Sequence, residues 1–291
     1  MLMQLILNGI VNGCIYALMA AGFALVYAVT RVFHLAHGLV YLAAAYFAYY
    51  LSVPLKVNFA LTVVLTILAA VSLGITIEIV IYRHLRRRSA SGHIVMITSL
   101  AVLILGANLV AAFAGTLEKR FEIAQFQETL VFAGLTITPL HLFDIVLAIV
   151  TFFSIGIFLR YSGIGKRIRA VANNPSMAEL VGIDSSKVYL WTFALSSALA
   201  APAGILVGID LGCTPEMGMS GILIVFVAVI VGGVGSLPGA AIGAIFIGIV
   251  ESIGVWRIQS GWAPAITFFV LLVFVTFRPR GFLGRRLETE I

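Results

Sequence analysis

The chain has 291 residues, of which 62% are hydrophobic and only 10% are charged, with a mean hydropathy of +1.13. A soluble domain carries about 25% charged residues, so this composition excludes a soluble globular protein and puts most residues in lipid or in a helix bundle surrounded by it. The net charge of +6 is no signal for nucleic acid, because the cations sit in short clusters between apolar runs, where they act on topology.

A spanning helix needs about 20 mostly apolar residues. Runs of that kind fall at 5–29, 36–54, 59–82, 93–114, 139–160, 189–209, 219–235, 239–255 and 262–278. The expected fold is all-α, a polytopic membrane bundle of about nine helices forming one domain over 1–291. Met1–Gln4 has no basic n-region and the first run is of spanning length, so no cleavable signal peptide is expected. Cys14 and Cys213 lie far apart in or beside apolar runs and read as small buried residues, not as a disulfide framework.

Taken in order, the first run places Asn8, Asn12 and Tyr16 four residues apart on one face, as a polar path or as interhelical hydrogen bonds. Arg31 follows it, then His34 and His37. These two are spaced to face one metal, but no further ligands lie near them in sequence, so a metal site is not expected; His37 is kept as a path candidate. The third run ends in Glu78 and the cluster YRHLRRR (Tyr82–Arg88), which predicts an ion pair at the membrane rim. Asp144, beside His141 near the start of the fifth run, reads as interfacial. The sequence GIGKR (Gly163–Arg167) lacks the upstream glycine and the Ser/Thr of a phosphate-binding loop. HExxH and GxGD are also missing, so catalysis by this chain is not expected.

The segment RIRAVANNPSMAELVGIDSSKV (Arg167–Val188) is too short and polar to span. Asn174 reads as an N-cap with Pro175 at the first helical position, and Gly182 as the stop. Between them Met177, Leu180 and Val181 form one apolar face, as Ile168, Val171 and Ala172 do before the kink. A helix of two turns does not hold together alone in water. It must pack on the protein's own surface, on lipid headgroups or on a soluble partner.

Pro202 in the sixth run predicts a kink. The next two runs are broken by GGVGSLPG (Gly232–Gly239), either a tight connection or a functional bend, so eight spans is the alternative to nine, and Gly232, Gly233 and Gly235 are path candidates. Gly239 and Gly243, and Ala240, Ala244 and Gly248, make two rows of small residues for close helix packing. Glu251 lies further along the same run.

With nine alternating spans, Arg31, the Tyr82–Arg88 cluster, the group from Arg160 to Lys187 and the group from Arg278 to Arg286 fall on one side, 14 of the 18 cations. That side is the cytoplasm by the positive-inside rule, which puts the N-terminus outside, in the periplasm, and the C-terminus inside. The other side holds Lys56, Lys119, Arg120 and Arg257 with Glu118, Glu122, Glu128, Asp210 and Glu216.

Four stretches, in order, resemble one family. NGIVNGCIYALMAAGFALVYAVTRVFHLAHG is similar to the opening span and turn of the branched-chain amino-acid ABC importer permeases, LivH type. GIGKRIRAVANNPSMAELVGIDSSKVYLWTFALSSALAAPAGILVG resembles their cytoplasmic loop and following span. TPEMGMSGILIVFVAVIVGGVGSLPGAAIGAIFIGIVES resembles their glycine-rich segment, and FRPRGFLG their C-terminal end. His34, where the family commonly has Asn, and Pro202, where small residues are common, depart from the pattern.

The resemblance implies a type II ABC importer permease-like half-transporter in a bacterial inner membrane. It would pair with a LivM-type permease or with its own copy, with two cytoplasmic ATPases and with a periplasmic binding protein. ATP and Mg would be bound by the ATPases and no cofactor by this chain. The loop 161–188 would carry the coupling helix, with Arg169, Ala170, Asn173, Met177, Glu179, Leu180, Val181 and Gly182 meeting the ATPase. Permeases of this look also serve urea, amides and other small amino acids. A stand-alone secondary transporter or channel is the rival class.

Overall fold

In a computed structural model, which describes residues 1–121, 130–132, 135–257, 260–278 and 281–284, a helix occupies each of the apolar intervals. They are α1 (Leu2–Thr30), α2 (His37–Ser52), α3 (Phe59–Ile77), α5 (Gly92–Ala114), α6 (Pro139–Tyr161), α9 (Ser185–Leu211), α10 (Met217–Gly232), α11 (Leu237–Arg257) and α12 (Ala263–Phe277). A π-helical turn (Glu78–Tyr82) and α4 (Arg83–Arg87) prolong α3, and α7 (Gly163–Asn173) and α8 (Pro175–Leu180) lie between α6 and α9. Glu122, Glu128, Arg280, Arg285 and Arg286, which entered the charge argument, lie outside the described residues, as does the side chain of Arg257.

Among the described residues six helices are long and apolar enough to cross a membrane: α1, α3 with its continuation to Arg87, α5, α6, α9 and α11. The protein is therefore a multi-pass membrane protein. α2 and α10 have 16 residues each, about 24 Å, short of the ~30 Å hydrocarbon layer. The reason is that both start inside the bundle. After α1 ends, the chain turns back inward, where Leu35 N–H donates to Ser99 Oγ (3.0 Å) and His37 Nε2 lies 3.1 Å from the Met19 carbonyl, midway along α1. The first turns of α2 and α10 then meet: a Cβ on Gly38 would lie 2.4 Å from the Gly218 carbonyl oxygen, so only glycine fits. Irregular backbone at this depth is tolerated because protein surrounds it.

The contacts reveal an internal repetition. α1 packs on α10 and α11 as α9 packs on α2 and α3, α2 meets α3 and α5 as α10 meets α11 and α12, and the two central pairs are α1 with α9 and α2 with α10. Leu25 and Val29, near the end of α1, cluster with Val188, near the start of α9, so α1 and α9 run antiparallel. The core lies along α1, α2, α9 and α10, while α3, α5, α6 and α12 present apolar side chains outward, among them Leu68, Leu105, Phe153 and Phe269.

Both predicted rows of small residues are used, on different partners. Gly239 and Gly243 face the backbone of α10 at Gly232 and Ala228, and Gly248 faces Gly9 and Gly13 of α1. Cys14 and Cys213 are both free and buried. Pro202 lies within α9, which runs on through it.

The glycine motif Gly232–Gly239 forms a tight corner between α10 and α11. It is also joined to the tail. The last carbonyls of α10 have no partner within the helix; here the Phe282 and Leu283 N–H groups donate to the Val231 and Gly232 carbonyls, each at 2.9 Å. Gly233 (φ 112°) and Gly281 (φ 71°) take left-handed conformations that favour glycine, and their backbones touch.

The described residues are overwhelmingly helical, as expected, with one addition: a short antiparallel hairpin of β1 (Leu130–Phe132) and β2 (Leu135–Ile137) precedes α6, with Leu130 opposite Ile137. The Gln4 side chain bonds both the N–H and the C=O of Thr136 (2.8 Å each), acting as a further strand residue beside β2. Asp144, read as interfacial from its place near the start of α6, is enclosed by protein. It is fully buried, and neither carboxylate oxygen has a hydrogen-bond partner among the described residues. Its burial goes with the packing of α1 on α6, a tertiary contact that position along one span cannot reveal.

Candidate functional site

The clearest exposed device is the pair α7–α8 at the arginine-rich end of the bundle. Ser162 caps α7, accepting from Gly165 N–H at 2.8 Å. Gly165 is pressed onto the end of α6, where a Cβ would lie 2.4 Å from the Phe158 carbonyl oxygen. Ile168 and Val171 are buried with Leu25, Val29 and Val188, so the apolar face read before the kink fixes α7 to α1 and α9. Arg31, held in a left-handed conformation at the end of α1 (φ 58°), donates from Nη2 to the Ala172 carbonyl at 2.9 Å.

From this base α8 projects. Asn174 Oδ1 accepts from Met177 N–H at 3.0 Å, Pro175 opens the helix, and Gly182 (φ 85°) closes it, each as its residue type requires. Ala178 alone turns inward. Met177, Leu180 and Val181 are 61%, 81% and 76% exposed, so the face predicted to need a partner is left uncovered by the described residues. Glu179 and Asn173 are exposed beside it, Ala170 is half-buried, and the Arg169 guanidinium turns away to the Arg160 carbonyl (3.1 Å).

Behind α7 lies a polar joint. Arg86 bonds both oxygens of Glu78, whose side chain is buried, and its guanidinium stacks over the Tyr189 ring at 4.2 Å. The expected ion pair is present but enclosed within the bundle, next to the π-helical turn that re-aims Glu78 and Tyr82. The Tyr82 hydroxyl lies 2.7 Å from His34 Nδ1. These residues tie α3, α2 and α9 together where α7 is anchored.

The path candidates are scattered. Asn8 accepts from Gln4 at 2.9 Å, Asn12 is half-buried, and the Tyr16 hydroxyl faces the Glu251 carboxylate across α1 and α11. His37 is fully buried, with both ring nitrogens engaged by the Met19 carbonyl and by Ser196 Oγ (3.2 Å). Gly232 and Gly233 are packed in the α10–tail corner, and Gly235 has open space around it.

The sequence reading missed a cleft of about 520 Å³ between α5, α10 and α12. Leu103, Ile104, Leu223 and Phe268 give it apolar walls, and Asn108, Glu216 and Ser220 supply polar groups. Asn108 is exposed in mid-helix, its Nδ2 donating to the Ile104 carbonyl of its own helix at 2.8 Å. An amide so placed is disfavoured against lipid, and Asn108 within a spanning run was the available signal.

Residues 5–276 match the family described as branched-chain amino acid transport system, permease component. The chain is 30% identical to the high-affinity branched-chain amino acid transport system permease protein BraD of Pseudomonas aeruginosa, covering 97% of this chain and 96% of that one. It is 30% identical to LivH of Escherichia coli K12, with the same coverage, and 30% identical to a probable branched-chain amino acid transport permease LivH of Methanocaldococcus jannaschii, covering 97% and 92%. A match over nearly the full length, with the four ordered motifs in place, settles the family. The chain belongs to the permease components of branched-chain amino acid transport systems.

Proposed function

We propose that this chain is one half of the transmembrane pore of an ATP-driven importer for branched-chain or other hydrophobic amino acids, set in the bacterial inner membrane with its arginine-rich end in the cytoplasm. The observation that carries the coupling role is the α8 face: Met177, Leu180 and Val181 stand exposed on a two-turn helix whose base is fixed by α7. An apolar face on so short a helix needs a soluble groove over it, and a cytoplasmic ATPase supplies one. ATP and Mg are bound there, and this chain takes up the motion. Through Val171, Arg31 and Val188 that motion passes to α1 and α9, the central antiparallel pair. A second permease, of LivM type or a copy of this chain, completes the pore, and a periplasmic binding protein delivers the cargo.

The cargo path is placed along the cleft between α5, α10 and α12. Support comes from its apolar walls, which suit an aliphatic side chain, and from polar groups at Asn108, Glu216 and Ser220. Asn8, Tyr16, His37 and the glycines at Gly232 and Gly233 all have packing or bonding partners inside the chain and are assigned to holding the bundle.

The test is the Leu180→Glu variant, reconstituted in proteoliposomes with its ATPases, partner permease and binding protein. Amino-acid uptake is expected to fall at least about tenfold, the equivalent of roughly 1.4 kcal/mol, while binding protein with cargo no longer stimulates ATP hydrolysis. Wild-type uptake and stimulation in this variant would overturn the coupling role.

A further inference from the structure

A second cavity, of about 740 Å³, lies outside the machinery described so far, between α6, the start of α11 and α7. Its walls are apolar: Ile155, Gly156 and Leu159 on one side, Leu237, Ala241 and Ile242 on the other. Two guanidiniums, Arg160 at the end of α6 and Arg169 on α7, close its rim. Both are exposed, and neither makes an ion pair among the described residues; Arg169 donates one N–H to the Arg160 carbonyl, which holds the two rims together. The groove continues onto the outward face of α6, where Phe153 and Ile157 are 69% and 57% exposed.

We infer that this groove is a binding site for an anionic phospholipid, one acyl chain lying between α6 and α11 and the phosphate held by Arg160 and Arg169. The charge and the apolarity are stacked in the order a lipid presents them: two cations at the end of the bundle where the arginines gather, then hydrocarbon walls below. Basic pockets between membrane helices take anionic headgroups in this way, and a guanidinium matches a phosphate with two parallel hydrogen bonds. A water-soluble anion would engage the rim but leave the apolar walls unused. A helix of the second permease would fill the walls but leave two cations without a counter-charge. The lipid satisfies both. It would bridge the end of α6 to α7, and so stiffen the base from which α8 projects; the site itself does not depend on the transport reading.

The structure also supplies a clean probe. A Cβ on Gly156, which lines the groove, meets nothing within 4 Å, so the side chain of Gly156→Phe starts into open space and its ring occupies the groove. The experiment is thermal unfolding of the full-length permease, with whatever subunits copurify, in detergent micelles doped with phosphatidylglycerol or with phosphatidylcholine. Native mass spectrometry of the same samples counts retained phospholipid. Phosphatidylglycerol is expected to raise the midpoint and phosphatidylcholine to leave it in place. The double variant Arg160→Gln/Arg169→Gln should lose most of that rise and the retained lipid. Gly156→Phe should do the same while unfolding at the wild-type temperature in phosphatidylcholine. An equal rise with phosphatidylcholine, a rise that survives both variants, or a rise reproduced by sodium phosphate alone would each overturn the proposal. So would release of the second permease by Gly156→Phe with lipid retained.

Discussion

Glu78 shows how one side chain depends on its neighbours. Its carboxylate is 1% exposed and sits where α3 gives way to a π-helical turn. Taking a carboxylate from water is unfavourable unless an opposite charge and hydrogen bonds replace the lost hydration. Arg86 supplies both, and Tyr189 covers the guanidinium. Arg86→Met therefore leaves a buried charge without a partner and is expected to destabilise the protein by about 3–5 kcal/mol. The double variant Glu78→Gln/Arg86→Met removes both charges and should recover much of the loss. Thermal unfolding in detergent reads both. Equal midpoints for the single and the double variant would show that the pairing is not what holds this joint. The sequence supplied the partners, since Glu78 precedes a run of arginines. It did not reveal their burial, which depends on α9 closing over the pair.

Among the elements, α10 depends most on a distant part of the chain. Its last carbonyls are bonded by the tail, so GGVGSLPG and FRPRGFLG, separate motifs along the sequence, form one structural joint. Local chemistry announced that each stretch turns: glycines stop helices, and prolines cannot continue them. What they turn toward was not legible, because it rests on contact between Gly233 and the 281–284 segment. Alanine substitution separates the two roles. At Gly235 (φ 83°) a Cβ meets nothing within 4 Å, so Gly235→Ala adds only left-handed strain, about 1–2 kcal/mol. At Gly233 a Cβ would also lie 2.3 Å from Gly284 N. Gly233→Ala must displace the tail and expose the Val231 and Gly232 carbonyls, which adds a further loss of about 1–3 kcal/mol for each buried acceptor left unpaired. A clearly lower unfolding midpoint for Gly233→Ala than for Gly235→Ala is expected, along with faster proteolysis of the C-terminus. Matching behaviour at the two positions would dissociate the tail from α10. α8 is the opposite case. Its caps and its apolar face were all readable, because a two-turn helix is set by neighbours in sequence; only the outward direction of the face required the fold.

At the scale of the whole molecule, the repetition constrains the topology. α1, α2, α3 and α5 form one set and α9, α10, α11 and α12 the other, with the contacts of one echoed in the other. Four crossings return a chain to the side it started from, so a second set following directly would run parallel to the first. Yet α1 and α9 are antiparallel, as the clustering of Leu25 and Val29 with Val188 requires. An odd crossing between the sets inverts the second one, and α6, which is long and apolar enough to cross, fits that place. The same parity applies to α2. Were it only a re-entrant piece, α9 would start at the end where α1 starts, and Val188 would be a membrane's thickness from Val29. Counting apolar runs does not expose this repetition, because the matching interfaces are built from different residues: Gly9 and Gly13 against Gly248 for α1 with α11, but Gly74 against Ser197 for α3 with α9. The proposed topology of nine crossings puts Gly115 on the side opposite Ser89 and Asn174, and by the positive-inside rule it makes the arginine-rich latter side cytoplasmic. An alkaline phosphatase fused after Gly115 should therefore be active. The same fusion after Ser89 or Asn174 should be inactive, and a fluorescent protein at those two positions should be bright. Phosphatase activity at Asn174 with none at Gly115 would reverse the orientation. Activity at both Gly115 and Asn174 would remove α6 as a crossing, and with it the inversion that lets α1 lie against α9.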